Sequence, residues 1–270
     1  MSASAPIGVF DSGLGGLTVV HALRDRLPHE SIVYLGDTAR VPYGPKSPET
    51  VRRYADEIAR WLLAQHVKLI VVACNTATAH ALPQLRASMP VPVIGVIEPG
   101  ARAAAQVSRG HIGVIGTAGT IRSGAYRRAI AAQVDGDRGT TVVEQPCPLF
   151  VPLVEEGWLE HPVTEAVARE YLAPLMADGV DTLVLGCTHY PLLAPVLSRV
   201  MPPGTTLIDS AAETAREVEH VLHTTGAAAP LTGPHGSLRL AATDAPESFA
   251  VLAARFLGGQ VPHVEHITLG

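Results

Sequence analysis

Two of the three cysteines follow short apolar segments and precede polar residues in the same way. Cys74 ends "LIVVAC" and is followed by "NT", whereas Cys187 ends "TLVLGC" and is followed by "TH". A thiol at the first turn of a helix has a lowered pKa and loses its proton more readily. One such cysteine is more often a small buried apolar residue. Two at matching positions, with a histidine two residues after one of them, favour nucleophilic or acid–base chemistry.

Other uses of these cysteines fit the pattern less well. Three cysteines in 270 residues do not make a disulfide framework. A metal site built on Cys74, Cys187 and His189 would lack a fourth ligand and the short ligand spacing of zinc sites, so no metal site is predicted. Cys147 lies between two prolines in "QPCPLF", which indicates a structural role.

The polar residues stand where predicted β-strands end. Short β-branched segments alternate with helical patterns, which predicts a doubly wound α/β architecture. The predicted strands are 7–10, 31–36, 68–73, 92–97, 111–116, 140–145, 181–186, 205–209 and 238–242. Ligands of such folds bind beyond the carboxyl ends of the strands. The candidate site therefore comprises the polar residues that follow four of these strands, which are Asp11, Ser12, Cys74, Asn75, Thr76, Thr117, Thr120, Cys187, Thr188 and His189.

The chain contains an internal repeat. The segment "IGVFDSG" (7–13) corresponds to "IGVIGTAG" (112–119), and "LIVVACNTAT" (69–78) corresponds to "TLVLGCTHYP" (182–191). This repeat predicts two pseudo-symmetric doubly wound α/β domains, with the active site in the cleft between them. The first domain is predicted to comprise 1–98 plus 206–270 and the second 99–205, with 224–236 as a surface loop.

Composition and motifs exclude several classes of protein. The net charge is −5 and there is no basic block, so we expect no nucleic-acid partner. No apolar run has the length of a membrane span, and "MSASAPIGVF" has no signal-peptide features. We therefore expect a cytoplasmic protein with reduced thiols and no membrane association. The loop "DSGLGG" has Thr18 where a dinucleotide motif needs its third glycine, and a P-loop is absent.

Taken together, these motifs resemble those of the glutamate racemases, a branch of the aspartate/glutamate racemase superfamily, over nearly the whole chain. They are "GVFDSGLGGLTV", "YLGDTARVPYGPKS", "VVACNTATA", "VIEPGA", "GTAGTIRSGAY", "CPLFVPLVEEG", "LGCTHYPLL" and "IDSAAETA". The resemblance implies an isomerase that interconverts L- and D-glutamate with no cofactor and independently of pyridoxal phosphate. It also implies a supply of D-glutamate for peptidoglycan synthesis, and hence for cell-wall biogenesis and cell shape. A homodimer with a small-molecule substrate, L- or D-glutamate, is expected.

The resemblance also implies a role for each matching residue. Cys74 would exchange the Cα proton of D-glutamate and Cys187 that of L-glutamate. Asp11 would support Cys74, while Glu155 and His189 would support Cys187. The substrate would be bound by Asp11, Ser12, Tyr43, Gly44, Asn75, Thr76, Thr117, Thr120, Thr188 and His189. Tyr43, in the rigid turn "VPYGPKS", is expected to be exposed, where it could reach a ligand or pack.

Three alternatives remain open at this stage. One is a racemase of a related amino acid such as aspartate. Another is a non-catalytic glutamate-binding protein with the same two domains, in which both thiols would be dispensable. The third is a thiol redox protein, which requires two cysteines close enough to form a disulfide.

Overall fold

The structure is a computed structural model that describes residues 2–134, 139–259 and 261–269. The chain divides into two compact units. The first unit is drawn from residues 1–96 and 211–270, and the second from residues 97–210. Each unit contains one parallel β-sheet with its connecting helices.

Strands and helices alternate along the chain, as the sequence pattern predicts. The strands are β1 (Ile7–Asp11), β2 (Ile32–Gly36), β3 (Leu69–Val72), β4 (Val93–Gly95), β5 (His111–Gly116), β6 (Thr141–Pro146), β7 (Thr182–Gly186), β8 (Thr206–Asp209), β9 (Leu238–Ala242) and β10 (Val264–His266). The α-helices are α1 (Leu17–Arg26), α2 (Pro48–Ala64), α3 (Asn75–Ser88), α4 (Ile97–Val107), α5 (Ala118–Ser123), α6 (Ala125–Ala131), α7 (Phe150–Glu155), α8 (Pro162–Ala177), α9 (Ala194–Val200), α10 (Ser210–Thr224) and α11 (Pro246–Leu257). Two 3₁₀ turns are formed by Thr38–Arg40 and Tyr190–Leu193.

Four strands of the first sheet have the same order as the four strands of the second sheet. The first sheet runs β10-β9-β2-β1-β3-β4 and the second runs β6-β5-β7-β8, with all pairs parallel. Strands β2-β1-β3-β4 of the first sheet therefore have the same order as β6-β5-β7-β8 of the second. In this order β3 and β7, which precede the two cysteines, are equivalent strands. The predicted α/β class and the internal repeat are both found in the described fold.

The first sheet is buried because its strands are apolar on both faces, as expected for parallel strands covered by helices. On one face, Phe10, Leu35 and Val72 belong to a core cluster with residues of α2 and α3. On the other face, the ring of Tyr34 lies 6.2 Å from the ring of Phe249 in α11. Helix α2 begins where the sequence predicts, since the Ser47 side chain accepts a hydrogen bond from the Thr50 amide.

The structure corrects the predicted domain boundaries. The first division falls after Val96, and the second after Ser210 rather than after 205. Strand β8 pairs with β7 over Thr182↔Thr206 to Leu185↔Asp209, so 206–209 belongs to the second sheet. The sequence does not reveal this pairing, because the partner of a strand depends on which strand edge is available in the folded sheet. Strand β10 was not predicted; it extends the first sheet beyond β9.

Candidate active site

Each sheet carries one half-site, meaning the candidate residues at the carboxyl ends of its strands. The first half-site lies at the carboxyl ends of β1 and β3. These strands are neighbours, and the amide of Ala73 donates to the carbonyl of Phe10 at 2.9 Å. The next residues along the two strands are Asp11 and Cys74, which are 1% and 5% exposed. The fold thus brings a buried carboxylate and a buried thiol to one end of one sheet, as the sequence predicts.

Cys74 is the N-cap of α3. Its sulfur accepts a hydrogen bond from the amide of Ala77 at 3.4 Å and lies 3.7 Å from the Ser12 hydroxyl. Burial, followed by the negative charge of Asp11, raises the pKa of Cys74 to about 12. The expected lowering of this pKa is therefore wrong. Hydrogen bonds from Ala77 and Ser12 do lower it, but desolvation and the carboxylate outweigh them.

The loop "DSGLGG" holds Asp11 in place. The carboxylate of Asp11 accepts a hydrogen bond from the Gly13 amide at 2.9 Å, and the Gly13 carbonyl accepts one from the Tyr34 hydroxyl at 2.7 Å. A Cβ atom on Gly16 would lie 2.5 Å from that of Asp11 and 3.0 Å from the Tyr34 hydroxyl. Glycine at position 16 is thus required by close packing around Asp11.

Tyr43 departs from the sequence prediction. Its side chain is buried rather than exposed, and its hydroxyl donates a hydrogen bond to the Asp37 carboxylate. Its ring packs against that of Tyr54 at 5.7 Å, and Gly44 follows it at a partly buried position. The hydroxyl proton of Tyr43 is therefore directed at Asp37. Burial and the charge of Asp37 raise the pKa of Tyr43.

Two further predicted residues of the first unit open helix α3. Asn75 and Thr76 are each 3% exposed and directly follow Cys74. They stand at the end of the helix where backbone amides lack intrahelical partners. This position suits the recognition of a carboxylate.

The second half-site lies at the carboxyl ends of β5 and β7. Gly116 pairs with Gly186 at the end of the ladder, so Thr117 and Cys187 follow neighbouring strand ends. Cys187 is 6% exposed. The chain after Cys187 forms the 3₁₀ turn Tyr190–Leu193 before α9. The surroundings of Cys187 therefore differ from those of Cys74, which directly caps the α-helix α3.

His189 connects Cys187 to a carboxylate. Its Nδ1 lies 3.9 Å from the Cys187 sulfur, and its Nε2 lies 3.0 Å from Oε1 of Glu155. The His189 side chain is 9% exposed and that of Glu155 is 37% exposed. Glu155 is the last residue of α7. The structure brings together the three residues that the resemblance assigns to this half-site.

Three threonines complete the second set of predicted residues. Thr117 is the N-cap of α5, where its hydroxyl accepts from the Thr120 amide at 3.4 Å and lies 3.1 Å from the Thr120 hydroxyl. Thr188 is 5% exposed and lies directly between Cys187 and His189. These hydroxyls stand at strand ends, as the sequence predicts.

The structure also gives the surroundings of the third cysteine and of the side chains that could bind a metal ion. All three cysteines are free, and Cys147 is buried, which raises the pKa of its thiol. Over 2–134, 139–259 and 261–269 there is no group of three or more His, Cys, Asp and Glu side chains that could hold a metal ion. Nor does the described part of the chain contain a helix that is both long and apolar enough for a bilayer.

The family model described as Asp/Glu/Hydantoin racemase matches residues 17–218 of this chain. The chain belongs to this family. It is 52% identical to the glutamate racemase of Geobacter metallireducens, over 97% of this chain and 96% of that protein.

Solved structures of family members agree with the fold. The glutamate racemase of Thermus thermophilus in complex with β-chloro-D-alanine has a TM-score of 0.90 and 48% identity, covering 100% of this chain and 99% of the other. That of Francisella tularensis in complex with D-glutamate has a TM-score of 0.91 and 36% identity, covering 99% and 98%. The resemblance seen in the sequence motifs is thus confirmed.

One acidic residue of this racemase-family chain was not assigned from the sequence. Asp37 is fully buried, and its carboxylate accepts hydrogen bonds from Arg40 Nε at 2.8 Å, from the Thr243 hydroxyl at 3.0 Å and from Tyr43. It directly follows β2. The rule that selects residues at strand ends would have found it, had the rule been applied to β2 as well.

Proposed function

We propose that this protein interconverts L- and D-glutamate by transferring the Cα proton between Cys74 and Cys187, without pyridoxal phosphate. One observation carries the proposal. Each of the two repeated sheets ends in a buried cysteine at the equivalent position, and each cysteine has its own acid–base neighbours. The similarity to glutamate racemases, one of them in complex with D-glutamate, supports glutamate as the substrate.

The proposed reaction needs two groups that exchange roles. A thiolate on one face of Cα removes the proton, so that the C–H bond breaks and an S–H bond forms. The resulting carbanion takes a proton from the thiol on the opposite face, which breaks that S–H bond and forms the inverted C–H bond. Cys187 removes the proton of L-glutamate and Cys74 that of D-glutamate. The reverse reaction uses the same groups with their roles exchanged.

The environment of Cys74 suits the donor role in the conversion of L-glutamate. Its pKa of about 12 keeps the thiol protonated at neutral pH. The α-ammonium group of a bound amino acid would lower this pKa, because a nearby positive charge favours the thiolate. Cys74 can then also act as the base toward D-glutamate, with the Asp11 carboxylate as the neighbour that accepts its proton.

Cys187 has a different neighbour, an imidazole that is held by a carboxylate. His189 is within reach of the sulfur, and Glu155 orients the imidazole from the opposite nitrogen. An imidazole held by a carboxylate can take a proton from a thiol and return it. We propose that Glu155 fixes the ring and stabilises its protonated form.

Hydroxyl and amide groups would bind the two carboxylates of glutamate, since no arginine belongs to the predicted set. The groups proposed are Ser12, Asn75, Thr76, Thr117, Thr120 and Thr188, with Asp11 and His189 beside the reacting carbon. The phenol of Tyr43 donates a hydrogen bond to Asp37. We therefore propose that Tyr43 and Gly44 contribute to substrate binding through their backbone groups. Amides at the first turn of α3 add charge complementarity.

The decisive test is incubation of the purified protein with L-glutamate in D₂O, with no pyridoxal phosphate added. We expect optical rotation to fall to zero while deuterium enters Cα of the D-product. The same assay with L-aspartate separates the related-substrate alternative. Binding of glutamate with neither exchange nor inversion would refute the proposal and favour a binding protein. A disulfide between Cys74 and Cys187 on mild oxidation would favour a redox protein.

A cellular role follows from the proposed product. We propose that the protein is cytoplasmic and supplies D-glutamate for peptidoglycan, and hence for cell-wall biogenesis and cell shape. Expression in a bacterium that requires external D-glutamate tests this role, because growth without the supplement is expected. We also propose a homodimer, and analytical ultracentrifugation would exclude it if only a 28.3 kDa species sediments.

A further inference from the structure

Tyr190 is a buried side chain beside the second half-site that the proposed reaction does not use. It is fully buried, and its hydroxyl donates a hydrogen bond to the Cys147 carbonyl at 2.7 Å. Its ring meets that of Phe150 edge to face, with 5.3 Å between centroids and an angle of 88°. This geometry is the favourable one for aromatic pairs.

These two contacts join the segment that carries Glu155 to the turn that carries His189. Phe150 is the first residue of α7 and Glu155 is the last. The Cys147 carbonyl also accepts from the Phe150 amide at 3.2 Å, so one oxygen holds both the start of α7 and the Tyr190 phenol.

The other end of this connection is the segment 187–190, which contains Cys187, His189 and Tyr190 and is called the cysteine turn. The amide of Tyr190 donates to the carbonyl of Cys187 at 3.1 Å. Burial, followed by the charge of Cys187, raises the pKa of Tyr190. Tyr190 therefore contacts both the cysteine turn and the residues that begin α7, although it forms no part of the thiol–imidazole–carboxylate arrangement.

We propose that Tyr190 is a positioning residue that aligns Glu155, His189 and Cys187 by tying α7 to the cysteine turn. The proposal rests on the proposed racemisation. The contact between Cys187 and His189 is already long, at 3.9 Å. A small displacement of the ring would break it, and displacements of about 1 Å can cost a hundredfold in rate.

The variant Tyr190→Phe tests this proposal, because it removes the hydroxyl but keeps the ring. We expect kcat/KM to fall about tenfold. It must fall equally for both enantiomers, since the equilibrium constant of a racemisation is one. The informative readout is the primary isotope effect with Cα-deuterated substrate. If proton transfer at Cys187 becomes slower, the isotope effect rises for L-glutamate and falls for D-glutamate.

Tyr171→Phe is the matched control. Tyr171 also packs edge to face against Phe150, with 5.4 Å between centroids, and its hydroxyl accepts a long hydrogen bond of 3.4 Å from the Leu149 amide. This variant should keep both isotope effects. Phe150→Leu removes the ring contact and keeps apolar volume, so it should shift the isotope effects in the same direction as Tyr190→Phe. It also provides the test if Tyr190→Phe does not fold.

A loss of rate in Tyr190→Phe with unchanged isotope effects would overturn the proposal, because it would mean a smaller fraction of active protein. An unchanged rate would overturn it as well. Both results require a wild-type protein that racemises glutamate. If the wild-type protein does not, the proposed function itself has failed, and the two failures are thus distinguished.

Discussion

The two half-sites occupy equivalent places in repeated sheets, yet they place different groups beside their thiols. The internal repeat aligns Asp11 with Gly116, and each is the last residue of a strand whose neighbour leads into a cysteine. The first unit therefore places a carboxylate next to its thiol on the adjacent strand. The second unit has a glycine there, and its carboxylate reaches the thiol through His189.

The carboxylates of the two half-sites also differ in their burial. Asp11 is 1% exposed, whereas the Glu155 side chain is 37% exposed. A charge in a buried position is screened less by water and acts more strongly on its neighbour. The comparison teaches that the fold fixes where the thiols stand, while nearby side chains give each thiol a different electrostatic environment.

The largest expected effects come from removing one thiol at a time. Cys74→Ala and Cys187→Ala should each lower racemisation by roughly 10³-fold or more, since each removes one of the two acid–base groups. Exchange of the Cα hydrogen for deuterium in D₂O distinguishes the two half-sites, because each variant keeps one thiol. Cys187→Ala should exchange D-glutamate with retention, and Cys74→Ala should exchange L-glutamate with retention.

Cys147→Ala is the control for these variants, because that thiol has no role in the proposed chemistry. Its racemisation rate should stay within about twofold of that of the wild type. Exchange of both enantiomers by either single variant would contradict the assignment of one thiol to each face.

Asp11→Asn should reduce kcat by about 100-fold, because the neighbouring proton acceptor is lost. The same change should lower the pKa of Cys74, since the Asp11 charge is one of the causes that raise it. Alkylation of Cys74 by iodoacetamide, followed by peptide mass spectrometry, should therefore become faster at neutral pH. Slower alkylation would show that Asp11 does not act on the thiol through its charge. Glu155→Gln, in the other half-site, should leave the alkylation of Cys74 unchanged.

Glu155→Gln should have a smaller effect on kcat, about tenfold, because its side chain is 37% exposed and acts through an intervening imidazole. Steady-state racemisation rates of Glu155→Gln and Asp11→Asn, measured under the same conditions, are the direct comparison. An effect as large as that of Asp11→Asn would contradict the argument from burial.

The smallest expected effects concern stability at the residues before the cysteines, Ala73 and Gly186. A Cβ on Gly186 would lie 2.6 Å from the Ile115 carbonyl and 3.0 Å from the Tyr126 ring. We expect Gly186→Ala to destabilise the protein by about 1–3 kcal/mol. The reverse change, Ala73→Gly, should cost about 1 kcal/mol. Urea unfolding of both variants measures the difference, and equal costs would contradict the packing argument.

Strand positions could be read from the sequence because buried parallel strands leave continuous β-branched runs. The rule for strand ends placed both Asp11 and Cys74 at the edge of the sheet, whereas their pairing was implied by the family resemblance. Strand β8 was assigned to the wrong unit because pairing partners leave no local signal. The burial of Tyr43 and the raised pKa of Cys74 were missed for a related reason. Both depend on Asp37 and Asp11, whose distances to these groups are set by tertiary packing.

The path of the chain through its two units has a consequence for synthesis on the ribosome. Residues 97–210 are contiguous, whereas the first sheet needs β9, and β2 pairs with it over Ile32↔Leu238 to Gly36↔Ala242. Roughly 200 residues separate these strands, which corresponds to about 10–40 s of translation. During that time the edge of β2 has no partner from its own chain, while the unit that contains Cys187 can already fold. We therefore expect the nascent protein to acquire its second thiol site first.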